Sequence, residues 1–280
     1  MKLLKNNKFQ RFLHTFLSLM LAFCLVAVSL FTLLKCTIFS QSYLGEVLNN
    51  SDYYVDLCDE IKADLIDIGN ASGLNKKFFD NFVDEVMVRE DIQSYLDLFY
   101  SGQKPTVDTK NFERSLRSAI EKYEVKQGID PQNVSEENIV YFINESAKIY
   151  SNNIKITYFN AIQRDFLRWS KKILIYDLIF AAVGIGLVFV IFFTNKWKHK
   201  AIRYIYYSTA ATGLFLIVIP IGVFFSNIVS KIAILTRSLN DLYISCLNNI
   251  FLNISIISVI FLIISAVLIV IHNHLRKKST

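Results

Sequence analysis

The sequence predicts an all-α membrane protein, with four transmembrane helices and a helical extracytoplasmic domain inserted between helices 1 and 2. Three observations predict it. The 280 residues contain four uninterrupted apolar blocks of about 21–23 residues each, long enough at about 1.5 Å rise per residue to cross a hydrocarbon core of about 30 Å. Basic residues flank the blocks, whereas nearly all acids fall in one stretch between the first and second blocks. That stretch carries apolar positions at helical spacing, and with only 3 Pro and 9 Gly in the chain long structureless loops are disfavoured.

The first block, 12–34, follows a basic start of Lys2, Lys5, Lys8 and Arg11. Its apolar run exceeds the about 7–15 residues of a cleaved signal peptide, and no small-x-small site follows it, so it is expected to be an uncleaved signal anchor. The remaining blocks are 173–193, 204–225 and 250–271, and Asp177 is the one charged residue inside any of the four. Residues 1–11 form the amino-terminal segment, 35–172 the inserted domain, 194–203 a loop, 226–249 a second, short outer loop and 272–280 the tail.

Orientation follows from charge. Lys196, Lys198, Lys200 and Arg203 lie in the 194–203 loop, and Arg276, Lys277 and Lys278 lie in the tail. Four crossings place these segments and the amino terminus on one side, which the positive-inside rule makes the cytoplasm of a multi-pass plasma-membrane protein. Arg164, Arg168, Lys171 and Lys172 oppose this from the outer side but are outnumbered. Residues 41–170 hold 14 Lys+Arg against 22 Asp+Glu, a net of −8 within a chain whose net charge is +6. The basic remainder is split into short pieces beside apolar helices. That distribution suits an anionic lipid leaflet, and nucleic acid is excluded as a partner.

Within the inserted domain, Ser51 is placed to cap a helix carrying Tyr54, Leu57, Ile61, Leu65 and Ile68, with Gly69 and Gly73 at its end. Asn75 precedes a short helix with Phe78, Phe79, Phe82, Val83 and Val86 on its apolar face. Glu90 or Asp91 starts the next, which stops at Ser101-Gly102. Asp108 or Thr109 starts a helix with Phe112, Leu116, Ile120 and Tyr123, ended by Gly128. Pro131 marks a turn, and Ser135 caps a helix carrying Ile139, Phe142, Ile143 and Ile149. A last helix, from about Ile154 with Tyr158, Ile162, Phe166 and Trp169, runs directly into the second block. The expected core is Phe79, Phe82, Phe99, Phe112, Leu116, Phe142 and Phe166.

Chemistry is sparse. The four histidines, His14, His199, His272 and His274, all lie outside the inserted domain, so neither a Ser-His-Asp nor a His-rich zinc site is expected there. The carboxylate pairs Asp59/Glu60, Asp84/Glu85, Glu90/Asp91 and Glu136/Glu137 fall on polar helix faces and in first turns, where solvent and the helix dipole favour them. No phosphate-binding loop, dinucleotide fingerprint or HExxH occurs, so no enzyme activity and no cofactor are expected. Asp177 is the candidate functional acid. It is expected to pair with Lys35, Lys231 or Arg237 near an interface, or alternatively to serve as an ion or proton site. Ala182 with Gly186 and Thr209 with Gly213 have the spacing that lets membrane helices approach closely. Pro220 is expected to kink the third span. Of Cys24, Cys36, Cys58 and Cys246, the last three could meet in an oxidising compartment, and unpaired thiols are the simpler expectation.

The stretch Ser72-Gly73-Leu74 through Val88-Arg89-Glu90-Asp91-Ile92, Tyr95-Leu96, Leu98-Phe99-Tyr100-Ser101-Gly102 and Val107-Asp108-Thr109 resembles uncharacterised membrane proteins of low-GC Gram-positive bacteria with an amino-terminal anchor, an outer helical domain and further membrane helices. The resemblance implies such a host and topology and no particular activity. The resulting expectation is a non-enzymatic envelope protein that senses or binds through its acidic outer domain, with the bilayer and a membrane or envelope protein as partners. The alternative is a transporter subunit or small-solute channel.

Overall fold

A computed structural model describes residues 7–71, 74, 76–80, 82–128, 135–156, 158–195, 197–226 and 236–278. Gly73, Asn75, Pro131, Lys196 and Lys231 lie outside these residues. Among the described residues all regular structure is α-helical: α1 Asn7–Cys36, α2 Gln41–Asn50, α3 Tyr53–Ala71, α4 Lys76–Asp80, α5 Glu85–Ser101, α6 Lys110–Gln127, α7 Glu136–Ile154, α8 Phe159–Thr194, α9 Lys198–Ser226 and α10 Arg237–Lys278. Four helices, α1, α8, α9 and α10, are long and apolar enough to cross a membrane. The chain divides into two compact units. One comprises Met1–Ser40, Arg168–Ile232 and Cys246–Thr280, the other Gln41–Leu167 and Ala233–Ser245.

The first, apolar unit is built inside out relative to a water-soluble bundle. Its surface carries Phe12, Phe16, Leu19, Phe23, Leu178, Ile185, Phe189, Phe215, Val218, Ile263 and Val270, all exposed, whereas Ser18, Ser208, Thr212, Ser258 and Ser265 are buried. Lipid is as apolar as leucine, so contacts between membrane helices rest on close packing and hydrogen bonds. The Ser18 hydroxyl donates to the Tyr204 carbonyl at 2.8 Å, and Ser208 returns a bond to the Ser18 carbonyl at 2.7 Å, joining α1 to α9. Thr212 donates to Ala22 at 3.3 Å. Ser258 donates to the Gly213 carbonyl at 2.7 Å and Ser265 to Tyr206 at 3.2 Å, joining α10 to α9. Apolar clusters complete the seam: Leu21 with Ile191, Ala201 and Tyr204, and Leu33 with Leu216 and Ile254. These pairings make α1 and α9 parallel and α8 and α10 antiparallel to them. The start of α1, the α8–α9 connection and the end of α10 therefore share one end of the bundle.

The second, polar unit has its own aromatic core. Phe79, Phe99, Phe112, Leu116 and Phe142 are buried as expected, and Phe82 and Phe166 are half-buried. Phe112 stacks on Tyr150 with ring centroids 4.3 Å apart and meets the edge of Phe82 at 5.3 Å. Phe99 packs against Phe159 at 4.4 Å and Phe166 at 4.9 Å. Four tyrosines, Tyr53, Tyr54, Tyr95 and Tyr150, are fully buried beside them. The helix stops at Gly102 and Gly128 are left-handed, with φ of 81° and 68°. The Gln163 amide donates to the Leu98, Phe99 and Gln103 carbonyls, satisfying groups that the end of α5 leaves open.

Several boundaries differ from expectation. Residues 41–50, for which no separate helix was assigned, form α2, with Val47 and Leu48 buried. The helix expected from Glu90 or Asp91 starts at Glu85, after an extended Asp84 with φ −107° and ψ 139°. That break cuts the short Phe78–Val86 face, and α4 ends at Asp80. Ile154 closes α7 instead of opening the next helix, because Lys155 is extended and Tyr158 takes a left-handed φ of 70°. The Ser51 hydroxyl donates to the Leu48 carbonyl at 3.2 Å, closing α2. The largest difference is at 226–249, expected as a loop. From Arg237 it is helical and continues unbroken as α10, since neither Gly nor Pro interrupts it.

One glycine is required by a close approach. A Cβ at Gly69 would stand 2.4 Å from ring carbons of Phe79, and that ring is fully buried with little room to yield. Gly69→Ala is expected to cost about 1–2 kcal/mol through overpacking, read as a lower denaturant midpoint for amide protection of α3 in the full chain. An unchanged midpoint would mean that the Phe79 ring has space to move.

Candidate functional site

The side chains with the most unusual surroundings lie in the polar unit, where α3 meets the first turns of α10. Asp52, Asp56 and Glu60 recur every four residues and therefore fall on one stripe, with the Asp56 amide donating to the Asp52 carbonyl at 2.9 Å. Arg237, Ser238 and Asp241 face them from α10. The Glu60 carboxylate accepts from the Ser238 amide at 2.9 Å and from the Ser238 hydroxyl at 2.7 Å. It thus satisfies an otherwise unpaired N–H at the start of α10 and places a negative charge at the positive end of that helix. Ser238 is 1 % exposed.

Asp56 is only 4 % exposed. Arg237 Nε pairs with its Oδ1 at 3.1 Å, although the arginine side chain is itself 77 % exposed. Burial raises the Asp56 carboxyl above the usual aspartate range; the hydrogen bond to Asp241 and the charges of Asp241 and Asp52 add to this, and Arg237 opposes it. Burial and the neighbouring acids thus disfavour the charged form of Asp56, and the largely exposed Arg237 compensates only in part. The arrangement can fasten a segment in a pH-dependent way. Among the described residues no three His, Cys, Asp or Glu side chains are grouped as metal ligands.

A second, part-buried acid contact joins α5 and α7. The Tyr150 hydroxyl donates to Asp91 Oδ2 at 2.5 Å. Burial, then this bond, raises the tyrosine pKa well above its ordinary value. Burial pushes the nearby Cys58 thiol up to about 11. Arg89 lies over the Tyr54 ring at 4.6 Å and donates to Asn49 at 2.8 Å.

The residues singled out from sequence are distributed differently. Asp177, half-buried on α8, accepts from the Thr32 hydroxyl at 3.2 and 3.3 Å. Arg237, one of its three expected partners, pairs with Asp56 instead. Thr209 is 6 % exposed, and a Cβ at Gly213 would come within 2.9 Å of Leu262 and 3.1 Å of the Ser258 carbonyl, so α9 and α10 meet closely there. Ala182 and Gly186 both lie on an exposed face, and nothing stands within 4 Å of a Cβ at Gly186. The small residue of α8 that faces a neighbour is Gly184, against Cys24 and Leu21. Pro220 is buried within α9 and supplies no N–H for the preceding turn. No disulfide joins any of the four cysteines. The α3 stripe was missed because Asp56 adjoins the apolar positions Tyr54 and Leu57, and its partners lie about 180 residues away. The spacing of four among Asp52, Asp56 and Glu60 was the available signal.

No family model, curated protein or solved structure matches the chain.

Proposed function

We propose that this is a non-enzymatic multi-pass protein of a bacterial plasma membrane, whose acidic helical unit binds or senses a partner at the outer surface while the apolar unit anchors it. The observation that carries this reading is the separateness of the polar unit. It has its own aromatic core, and residues 41–170 hold all but two of the acids in the chain. The start of α1, the start of α9 and the end of α10 share one end of the apolar unit, and the basic residues that the sequence puts beside them support placing both termini in the cytoplasm. The alternative, a transporter subunit or channel, would rest on Asp177 and Pro220. The hydrogen bond from Thr32 to Asp177 and the bonds that Ser18, Ser208, Thr212 and Ser258 make within the bundle favour the binding reading.

The test combines topology and partner contact. In intact cells, added protease is expected to cut within residues 41–170 and to spare the 194–203 loop; cleavage at that loop from outside would reverse the orientation. A photo-crosslinking residue at exposed Val125 or Tyr141 is expected to capture one specific surface partner, and the same residue at lipid-facing Ile185 is not. Solute flux through proteoliposomes of the purified chain, without such an adduct, would replace the binding reading with transport.

A further inference from the structure

The apolar unit gathers cations at one end, where α9 begins and α10 finishes. A ring nitrogen of His272, Nδ1, lies 2.6 Å from the His199 carbonyl, and the His272 ring stands 6.0 Å from that of His199 and 5.8 Å from that of Tyr206. Arg276 follows His272 by four residues and so lies on the same face of α10, one turn further out; it acts electrostatically on His199 together with Lys200 and Arg203. The Arg203 guanidinium lies over the Tyr204 ring at 5.1 Å and donates to the Tyr204 hydroxyl at 3.2 Å, which fixes its position. Lys198 opens α9, where the Trp197 carbonyl accepts from the Lys200 and Ala201 amides at 3.0 and 3.3 Å. Neither 194–203 nor 272–280 contains an acid. Trp197 and Tyr207 are 45 % and 49 % exposed beside the cluster, as aromatic side chains at a headgroup boundary are.

We infer that the joined ends of α9 and α10 form a binding site for the phosphate headgroup of an anionic phospholipid. The site offers charge from two helices, fixed in relation to each other by His272 and His199, with Trp197 at the glycerol level. It requires only that α9 and α10 cross a bilayer and is independent of what the polar unit binds. Guanidinium and ammonium groups that act on one ring, as Arg203, Arg276 and Lys200 do on His199, suit a phosphodiester, which no zwitterionic headgroup presents without its own compensating cation.

The chain has two tryptophans, so Trp169→Phe leaves Trp197 as the sole reporter. The full-length protein is reconstituted in nanodiscs containing brominated phosphatidylglycerol or brominated phosphatidylcholine, and quenching of Trp197 is followed against mole fraction. Preferential quenching by the anionic lipid, at least about fivefold in relative association, is the expected result, since one cation near an anionic headgroup is worth about that factor. Lys200→Gln, at an exposed position, is expected to lower the preference about fivefold and Lys200→Arg to retain it. Adding Arg203→Gln and Arg276→Gln is expected to abolish it. Equal quenching by the two lipids would overturn the site. Loss of the preference on adding inorganic phosphate would assign the cluster to free phosphate and overturn the lipid assignment.

Discussion

Phe112→Ala is expected to destabilise the polar unit by about 3–5 kcal/mol. The ring is 1 % exposed and sits between Tyr150, stacked at 4.3 Å, and Phe82, edge-on at 5.3 Å. Its removal therefore forfeits burial and two aromatic contacts and loosens Tyr150, which holds Asp91. A domain of this size has only about 5–15 kcal/mol in total, so the variant should lie close to unfolding. In the full chain in detergent, amide protection is expected to collapse in α6 and α7 and to persist in α1 and α9. Protection of α6 and α7 within about 1 kcal/mol of wild type would mean that Phe112 is not in the core. An equal loss in α1 and α9 would mean that the two units unfold as one.

Glu60→Ala should be the most disruptive change on the surface of α3. It removes two bonds to Ser238, each about 1.5–3 kcal/mol when a charge is involved. Partial exposure of Glu60 lowers the sum to about 2–4 kcal/mol. The loss should be local, appearing as exchange of amides 238–245, and Glu60→Gln should recover part of it. Asp56 adds a pH dependence of definite sign. Its carboxyl is raised above the ordinary 3.8, so the attached state holds the proton more tightly than the released one. That stabilisation is complete below the ordinary value and is lost as pH rises through the raised one. Protection factors for residues 238–245 should therefore fall as pH rises above the ordinary aspartate value, and Asp56→Asn should flatten the slope. The opposite slope would make the Arg237 ion pair dominant over burial.

Sequence patterns reached furthest where one periodic signal was sufficient. The four apolar helices are visible because each is a long block with almost no charge, and α6 was bounded correctly because Gly128 stops a clean stripe of Phe112, Leu116 and Ile120. The stripe failed where local geometry decides. Nothing about Asp84 or Tyr158 announces the extended and left-handed backbones that start α5 and separate α7 from α8. The spacing of Ala182 and Gly186 could not reveal which way they face, because the surrounding residues of α8 are apolar on every side. The α3 cluster was hidden for another reason: its partners belong to a segment whose polar composition reads as a loop, and only tertiary contact brings Arg237 and Ser238 to Asp56 and Glu60.

That contact also orders events during synthesis. The polar unit takes its main part from Gln41–Leu167 and its last piece from Ala233–Ser245, so roughly 80 further residues must be made before it can close. At about 5–20 residues per second, translation leaves an interval of about 4–16 s in which Asp56 and Glu60 have no partner. Throughout that interval the nascent polar unit is incomplete, and the start of α10 is the final clasp that ends its exposure to proteases and chaperones.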